Sequence, residues 1–536
     1  MTPSEQSHLR RGLRTSRRAA AFRTLRDLRQ RTRWTEPAFA VYGLLRIPSF
    51  LEPHWYTDEG GAAAAAKALL QGRVLYSQIW SNKPPLHLWT VAVNILLFRG
   101  SEAGLHVFTL ISGALTLAAV AYAGRPLLGR GRTIVALLVV AVLLGSPLFD
   151  AELAVPESFL IAPAAWAGAM VLRRASGVPS GPSRWWPVAA GLLAATAIAY
   201  QQTAVADAGA FLLILLLSPR ITARETLLFA ATAAGVTAAW LTPALITAGP
   251  GSVAYALVGF YVPYSQSVLP ASQGGLLHLA AGIVGSVALI CVGAVLTRRS
   301  TSFLWGAWVW AGADLIVAAA AQMPFAHFLV VAVASVTLAV FSIRLPVWRG
   351  VPALARLGAC AVVAGVLVAG SIARIAGVDW VPQWATAGTV SEPHNLLTYY
   401  GGALQVVTRQ RSLADLQDVF DDRVEGDRAT AAWIKSHGLS KHTAVAWSSD
   451  AWLYVMADLD LALPTPPIYN DEVLLGNQGQ VAQAVRNIDP EMIITTDDAL
   501  FNFPEVQPLL ASNYRPVDRE QLNTVWLRND APTPSP

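Results

Sequence analysis

Charge is what this 536-residue chain has least of. Only 14% of its residues are Asp, Glu, Lys or Arg, where soluble domains carry about 25%. The shortage is concentrated in residues 34–379, which hold 31 charged residues among 346. With 54% hydrophobic residues and a mean hydropathy of +0.44, this excludes a disordered chain, a fibrous protein and an ordinary cytosolic enzyme. Cysteine is almost missing. Cys291 and Cys360 both lie in apolar runs, so no disulfide framework is expected. Lysine is scarce, four residues against 35 arginines. There is no Walker A loop, no Rossmann glycine fingerprint after a strand and no HExxH zinc helix. No period of 20–50 residues marks a repeat array.

What is present is an uneven distribution of sign. Residues 1–33 contain ten Arg and two acids, a net +8. Residues 34–379 carry a net +7, and residues 380–536, with 10 basic and 20 acidic residues, a net −10. The basic arm is too long for a secretory signal and lacks a small-residue cleavage site. In front of a membrane domain such an arm belongs on anionic lipid at the cytoplasmic surface rather than on nucleic acid.

A spanning helix needs about 20 mostly apolar residues. Such runs occur at 35–51, 103–124, 133–149, 153–172, 186–200, 203–218, 226–248, 277–296, 303–321, 325–343 and 351–376. The weaker run 84–98, with His87, Trp89 and Asn94, is assigned to the membrane interface. That choice places Arg125, Arg130 and Arg132 inside, along with Arg173/Arg174/Arg184, Arg220/Arg224, Arg298/Arg299 and Arg344/Arg349. The expectation is a mainly α-helical polytopic membrane protein of about eleven spans with a small C-terminal α/β domain. The organisation expected is a cytoplasmic arm at 1–33, a membrane domain at 34–379 with its first external loop at 52–102, and an external domain at 380–536. Helices at 428–437, 482–488 and 506–512 alternate with strands at 443–448, 491–496 and 523–528 in that last domain. The tail APTPSP reads as unstructured.

The densest polar cluster is in the first external loop: His54-Trp55-Tyr56-Thr57-Asp58-Glu59-Gly60-Gly61, Gln71-Gly72-Arg73-Val74-Leu75-Tyr76 and Trp80-Ser81-Asn82-Lys83-Pro84-Pro85-Leu86. Taken singly these residues have plain structural readings. Asp58 would cap a helix at 60–70, the acid pair would complement its dipole, and Lys83 would anchor the interface. Asp207 and Asp314 fall within spans, where acids are functional candidates by default. The external stretch 249–275, uncharged and containing GFYVPYSQS, reads as a loop in an aromatic belt.

Taken together, the W-Y-x-DEG, LLQGRVLY and W-x-NKPPL segments closely resemble bacterial membrane glycosyltransferases of the GT-C type, family 39-like. The nearest groups are protein O-mannosyltransferases and the aminoarabinose transferase of lipid A. The motifs lie within residues 55–90. The acids at 150–157 and Met-Pro-Phe-Ala-His-Phe at 323–328 match more weakly. The resemblance implies an inverting transfer of a sugar from a polyprenyl-phosphate donor to an acceptor hydroxyl on the extracytoplasmic face of a bacterial plasma membrane. The acceptor would be a glycan, a lipid or a protein. The acceptor hydroxyl needs a base, for which Asp58 is the candidate. The leaving phosphate needs a cation, for which Lys83 is suited. Glu59, Asp150, Glu152 and His327 are expected to bind substrate, with Glu157 in second rank. Relatives often carry a basic residue where this chain has Gln201-Gln202, which weakens any phosphate contact there. Asp58, Asp150 and Glu152 have the chemistry to hold a divalent ion, but the resembling families are not generally metal-dependent, so no cofactor is expected. The alternative reading is a transporter or flippase of lipid-linked sugars, which would show inverted repeats and mid-membrane polar residues. No such repeat is evident.

Overall fold

A computed structural model describes residues 33–179, 184–263, 304–320, 326–343, 396–447, 451–465, 478–497 and 504–532, with a few residues of 284–291. The basic arm, the run 351–376, most of 277–296, the end of the C-terminal tail and Cys360 lie outside the described residues.

The amino-terminal part is helical: α1 (Glu36–Arg46), α2 (Thr57–Leu70), α3 (Pro85–Phe98), α4 (Glu102–Leu128), α5 (Arg130–Gly145), α6 (Pro156–Ala175), α7 (Trp186–Tyr200), α8 (Val205–Leu217), α9 (Ala223–Ala248), α10 (Pro250–Ala254), α11 (Trp305–Ala320) and α12 (Ala332–Ser342). Their starts follow local chemistry. Ser101 accepts from the Gly104 N–H to cap α4, and Thr222 with Glu225 forms a capping box on α9. Glu225 also receives Trp186 Nε1 at 3.0 Å and Arg174 at 2.9 Å, tying α6, α7 and α9 together. By length and composition, α4 and α9 could cross a membrane, and several other apolar helices are shorter. Leu96, Leu97, Leu216, Leu227 and Ile246 are all more than 60% exposed. An outer surface of that kind suits lipid rather than water.

Helix α4 packs on α6, α6 on α7, and α7 on α9. The core between them contains Leu117, Val120, Leu137, Val140, Phe211, Trp308 and Trp310. Small residues let these helices approach closely. A methyl group on Gly168 would overlap the Trp310 ring at 2.6 Å. The first part of the stretch expected as a loop at 249–275 is instead helical: α10 is followed by a π-helical turn, Tyr255–Gly259. Pro250 at the first helical position starts it, and Val253, Ala256 and Leu257 are buried.

The C-terminal domain begins with α13 (Leu396–Val407), α14 (Leu413–Gln417) and α15 (Val424–Ser436). Then come β1 (Thr443–Trp447), a helical turn (Leu453–Met456), β2 (Asp460–Leu461), α16 (Gln478–Ile488), β3 (Met492–Thr496), α17 (Gln507–Asn513), β4 (Tyr514–Glu520) and β5 (Asn523–Arg528). The sheet order is β2-β1-β3-β5-β4. β1 pairs parallel with β2 and β3, and β5 pairs antiparallel with β3 and β4. β1 and β3 are buried and apolar, as strands covered on both faces must be. Two strands were not anticipated. β2 has only two residues, and β4 reads Tyr-Arg-Pro-Val-Asp-Arg-Glu, a polar edge strand with a proline and a register shift at Pro516/Asp518.

Candidate functional site

The site is built around the start of α2. The helix begins at Thr57, three residues earlier than expected, and Tyr56 precedes it with no side-chain cap. Asp58 therefore does not cap a helix at 60–70. It sits in the first turn, exposed, where an acid complements the helix dipole. Glu59, next to it, points inward and is 1% exposed. An alanine run from Ala62 to Ala66 then gives α2 a narrow face that packs on α3.

Glu59 accepts a hydrogen bond from the Ala154 N–H in the loop between α5 and α6. That loop is held from further directions. Asp150 is in the left-handed region, with φ 51°. The Glu152 carbonyl receives Thr109 Oγ1 at 3.0 Å and the His106 Nδ1–H at 3.0 Å. The Ala154 carbonyl receives His87 Nε2–H at 2.8 Å. Burial lowers the His87 imidazole to about 4, so the ring is neutral.

Beneath Asp58 lies a buried polar network. The Arg46 guanidinium, 1% exposed, donates to Thr109 Oγ1 at 2.5 Å and lies 4.0 Å from the Glu152 carboxylate. Glu52 accepts from Tyr399 Oη at 2.6 Å and Trp55 Nε1 at 3.3 Å. His106 Nε2 stands 3.8 Å from Glu52 and 3.7 Å from Glu102. Burial pushes Glu52 up to about 8 and Glu59 up to about 7, and it holds Glu152 well above the usual carboxylate range. Glu52 and Asp150 add to the rise at Glu152, against Arg46. One guanidinium among four glutamates cannot neutralise them all, so the cluster retains protons near neutrality.

Above this network the Tyr56 ring meets His327 edge-on at 6.5 Å and Trp55 at 5.4 Å. Burial pushes the Tyr56 phenol well up, and the charges of Asp58, Asp150, Glu59 and Glu157 raise it further. The phenol thus feels four acids and packs against His327. His327 lies in a 3₁₀ turn, Ala326–Leu329, is 4% exposed and packs on Phe328 at 4.6 Å. Glu157, at the first turn of α6, accepts from Gln201 Nε2 at 2.9 Å.

Lys83 is partly exposed on the loop before α3. Its carbonyl receives Tyr76 Oη at 2.9 Å. The neighbouring Asn82 carbonyl receives Gln202 Nε2 at 3.2 Å and Tyr261 Oη at 3.3 Å. Gln202 also donates to the Leu257 carbonyl at 3.1 Å, joining this loop to the turn after α10. Lys83, Glu157 and Asp58 all act electrostatically on His87. Helix α2, which carries Asp58 in its first turn, packs on α3, which the Lys83 loop leads into, so the two loops lie on neighbouring elements.

His327 packs on Tyr56, which also feels the charges of Asp58 and Asp150, and Lys83 and Asp58 both act on His87. Glu59 and Glu152, expected to touch substrate, lie in the interior and make protein contacts. Among the described residues, no three of His, Cys, Asp and Glu stand in metal-binding geometry. Sequence reasoning missed Arg46, Glu52, Glu102 and His106. The signal available was an arginine inside an apolar run and an acid–histidine pair at i,i+4 on α4. Tyr399 gives no local signal.

Residues 82–246 match the model of the dolichyl-phosphate-mannose-protein mannosyltransferase family. The structure of ArnT from Cupriavidus metallidurans bound to undecaprenyl phosphate aligns with a TM-score of 0.58 at 17% identity, covering 94% of this chain and 99% of that one. The apo structure of the same protein aligns with TM-score 0.58 and 17% identity over 93% and 98%. The fold is of the GT-C type. No curated protein matches the sequence significantly. The GT-C likeness runs through the helical part and the C-terminal α/β domain alike, since nearly the whole of each chain is covered.

Proposed function

We propose that this chain is a membrane glycosyltransferase that moves a sugar from a polyprenyl-phosphate donor to an acceptor hydroxyl on the extracytoplasmic face, with inversion. The reading is carried by one observation: on a GT-C fold, an exposed Asp58 carboxylate and the Lys83 loop lie on neighbouring elements. The acceptor oxygen attacks the anomeric carbon as the bond from that carbon to the phosphate oxygen breaks. Asp58 takes the hydroxyl proton. Polyprenyl phosphate leaves, and Lys83 meets the charge that develops on it. Tyr56 stays protonated and so remains a hydrogen-bond donor beside the reacting groups, with His327 and Asp150 lining the same space. Glu59 and Glu152 act indirectly by fixing the backbone of the 150–155 loop. Likeness to a protein whose structure holds undecaprenyl phosphate, and to a family named for a dolichyl-phosphate donor, supports a lipid-phosphate sugar as substrate. The reading puts the N-terminal arm in the cytoplasm and the acidic C-terminal domain outside, in a bacterial plasma membrane.

The test is incubation of membranes containing the protein with labelled polyprenyl-phosphate mannose and polyprenyl-phosphate pentose, followed by identification of the labelled product. Transfer by the native protein and transfer slower by about 10²-fold or more in Asp58→Asn is expected. Absence of transfer from every donor would overturn the reading in favour of a carrier of lipid-linked sugars.

A further inference from the structure

The C-terminal domain does not merely follow the helical part; it reaches into the turn that presents Asp58. Trp452, which follows β1 in the chain, is completely buried. Its indole Nε1 donates to the Tyr56 carbonyl at 3.2 Å. That carbonyl also accepts the Gly60 N–H at 3.1 Å, the first bond of the α2 ladder. The indole stacks at a tilt on the His54 imidazole, with centroids 4.4 Å apart. A methyl group on Gly60 would sit 2.9 Å from both the backbone nitrogen and Cδ1 of Trp452. Position 60 therefore has to lack a side chain for the domain to close on it, because real Cβ atoms do not approach other heavy atoms that closely.

The docking around this contact is specific. Lys67, two turns further along α2, donates to the carbonyls of Leu459 at 2.7 Å and Tyr454 at 3.3 Å, and it pairs with Asp458 at 2.7 Å. Gln71 donates to Asp460 at 2.6 Å. The Trp80 N–H, three residues before Lys83, donates to the Pro464 carbonyl at 2.9 Å. One segment of the C-terminal domain, residues 451–464, which includes β2, thus contacts both the Tyr56–Gly60 turn and the loop before Lys83.

We infer that Trp452 is a positioning residue of the glycosyl-transfer site. It fixes the backbone of Tyr56–Gly60 and so sets where the Asp58 carboxylate stands. This rests on the function proposed above. Tyr56 and Gly60 bracket Asp58 by two residues on each side, and both touch Trp452. Asp58 itself remains exposed. Its backbone is therefore held from behind while its side chain faces outward, the arrangement a base needs when a small misplacement is costly.

The test uses the full-length protein with Trp452→Leu, Trp452→Phe and Gly60→Ala. Phe keeps a ring on His54 and removes the N–H, Leu removes both, and Ala at 60 drives the two segments apart. Turnover per folded molecule should fall about tenfold or more in Trp452→Leu and Gly60→Ala and less in Trp452→Phe, with the donor KM within about twofold of native. Hydrogen exchange at the Gly60 amide should quicken in Trp452→Leu, while exchange in the core of α4 stays unchanged. The exchange measurement needs no substrate, so it decides the structural half of the inference even if no donor supports transfer. Failure of the native protein to transfer any sugar would count against the proposed function. Native exchange at Gly60 in Trp452→Leu would overturn the positioning role. So would native turnover in that variant, or a change confined to the amount of folded protein.

Discussion

Replacing Glu59 by Gln removes one titrating proton while keeping an oxygen for the Ala154 N–H. Burial pushes the Glu59 carboxyl up to about 7 from 4.5. Hydrogen bonds with Glu102 and Ala154 oppose the rise, the Asp58 charge adds to it and Arg46 opposes it. The folded chain therefore holds this proton more tightly than the unfolded chain does. The stability linked to it is fully present below pH 4.5 and is lost as pH rises through about 7. At ~1.4 kcal/mol per pH unit, the loss over that window is about 3 kcal/mol. Glu59→Gln stays neutral throughout and lacks this slope. Glu52, pushed up to about 8 by burial, leaves a shared residual slope in both proteins. The assay is the apparent unfolding temperature of detergent-solubilised protein, at one heating rate, from about pH 5 to about pH 8. The native protein should lose several degrees more than Glu59→Gln across that range. Parallel curves for the two would refute the reasoning, because they would mean that Glu59 is not a buried, protonated group. A steeper fall in the variant would refute it equally.

Three further outcomes are expected. Asp58→Asn should reduce turnover by about 10²–10⁴-fold, the range for loss of a general base, with normal yield of folded protein; near-native turnover removes Asp58 from that role. Lys83→Ala should raise the donor KM about tenfold or more, from loss of a charge-assisted contact of ~1.5–3 kcal/mol, without altering the acceptor KM; unchanged donor dependence takes Lys83 out of the site. Gln202→Leu removes one of the two donors to the Asn82 carbonyl, leaving Tyr261, and the side-chain donor to the Leu257 carbonyl, at ~1 kcal/mol per lost bond. It should raise the donor KM by less than Lys83→Ala, and the two changes together should be non-additive in KM. Strict additivity would separate Gln202 from the Lys83 loop.

The parts of the site that could be read in advance are those whose chemistry is contiguous in the chain. Asp58 and Lys83 sit in short polar segments between apolar runs, so their residue types and spacing are visible without any fold. The helices at 103–124, 153–172 and 186–200 could be read because apolar length alone specifies them. Where length failed, the cause was local. Pro250 and three buried apolar residues turned an expected loop into α10 and its π turn. A proline-bearing, charged edge segment hid β4, because edge strands need not alternate.

The supports of Asp58 were hidden for a different reason: they join residues far apart in the chain, and each has an ordinary local reading. Arg46 reads as a charge near the end of an apolar run, and Glu102 as an acid at a helix start. Only the fold sets them with Glu52, Glu59, His106 and Glu152 under one loop. Tyr399 reaches Glu52 across 347 residues. Trp452 reaches Tyr56 across 396, and nothing near position 452 announces a role at a turn near position 58. The glycine at 60 is the one trace of that contact in the motif itself. Read locally, Gly60-Gly61 after two acids is a poor choice for the first turn of a helix, costing about 1 kcal/mol per residue against alanine. At position 60 that cost is explained once the Trp452 backbone is seen against it. A helix-weakening residue inside a polar motif is thus a signal that another part of the chain closes there, and the indole from the C-terminal domain is what closes.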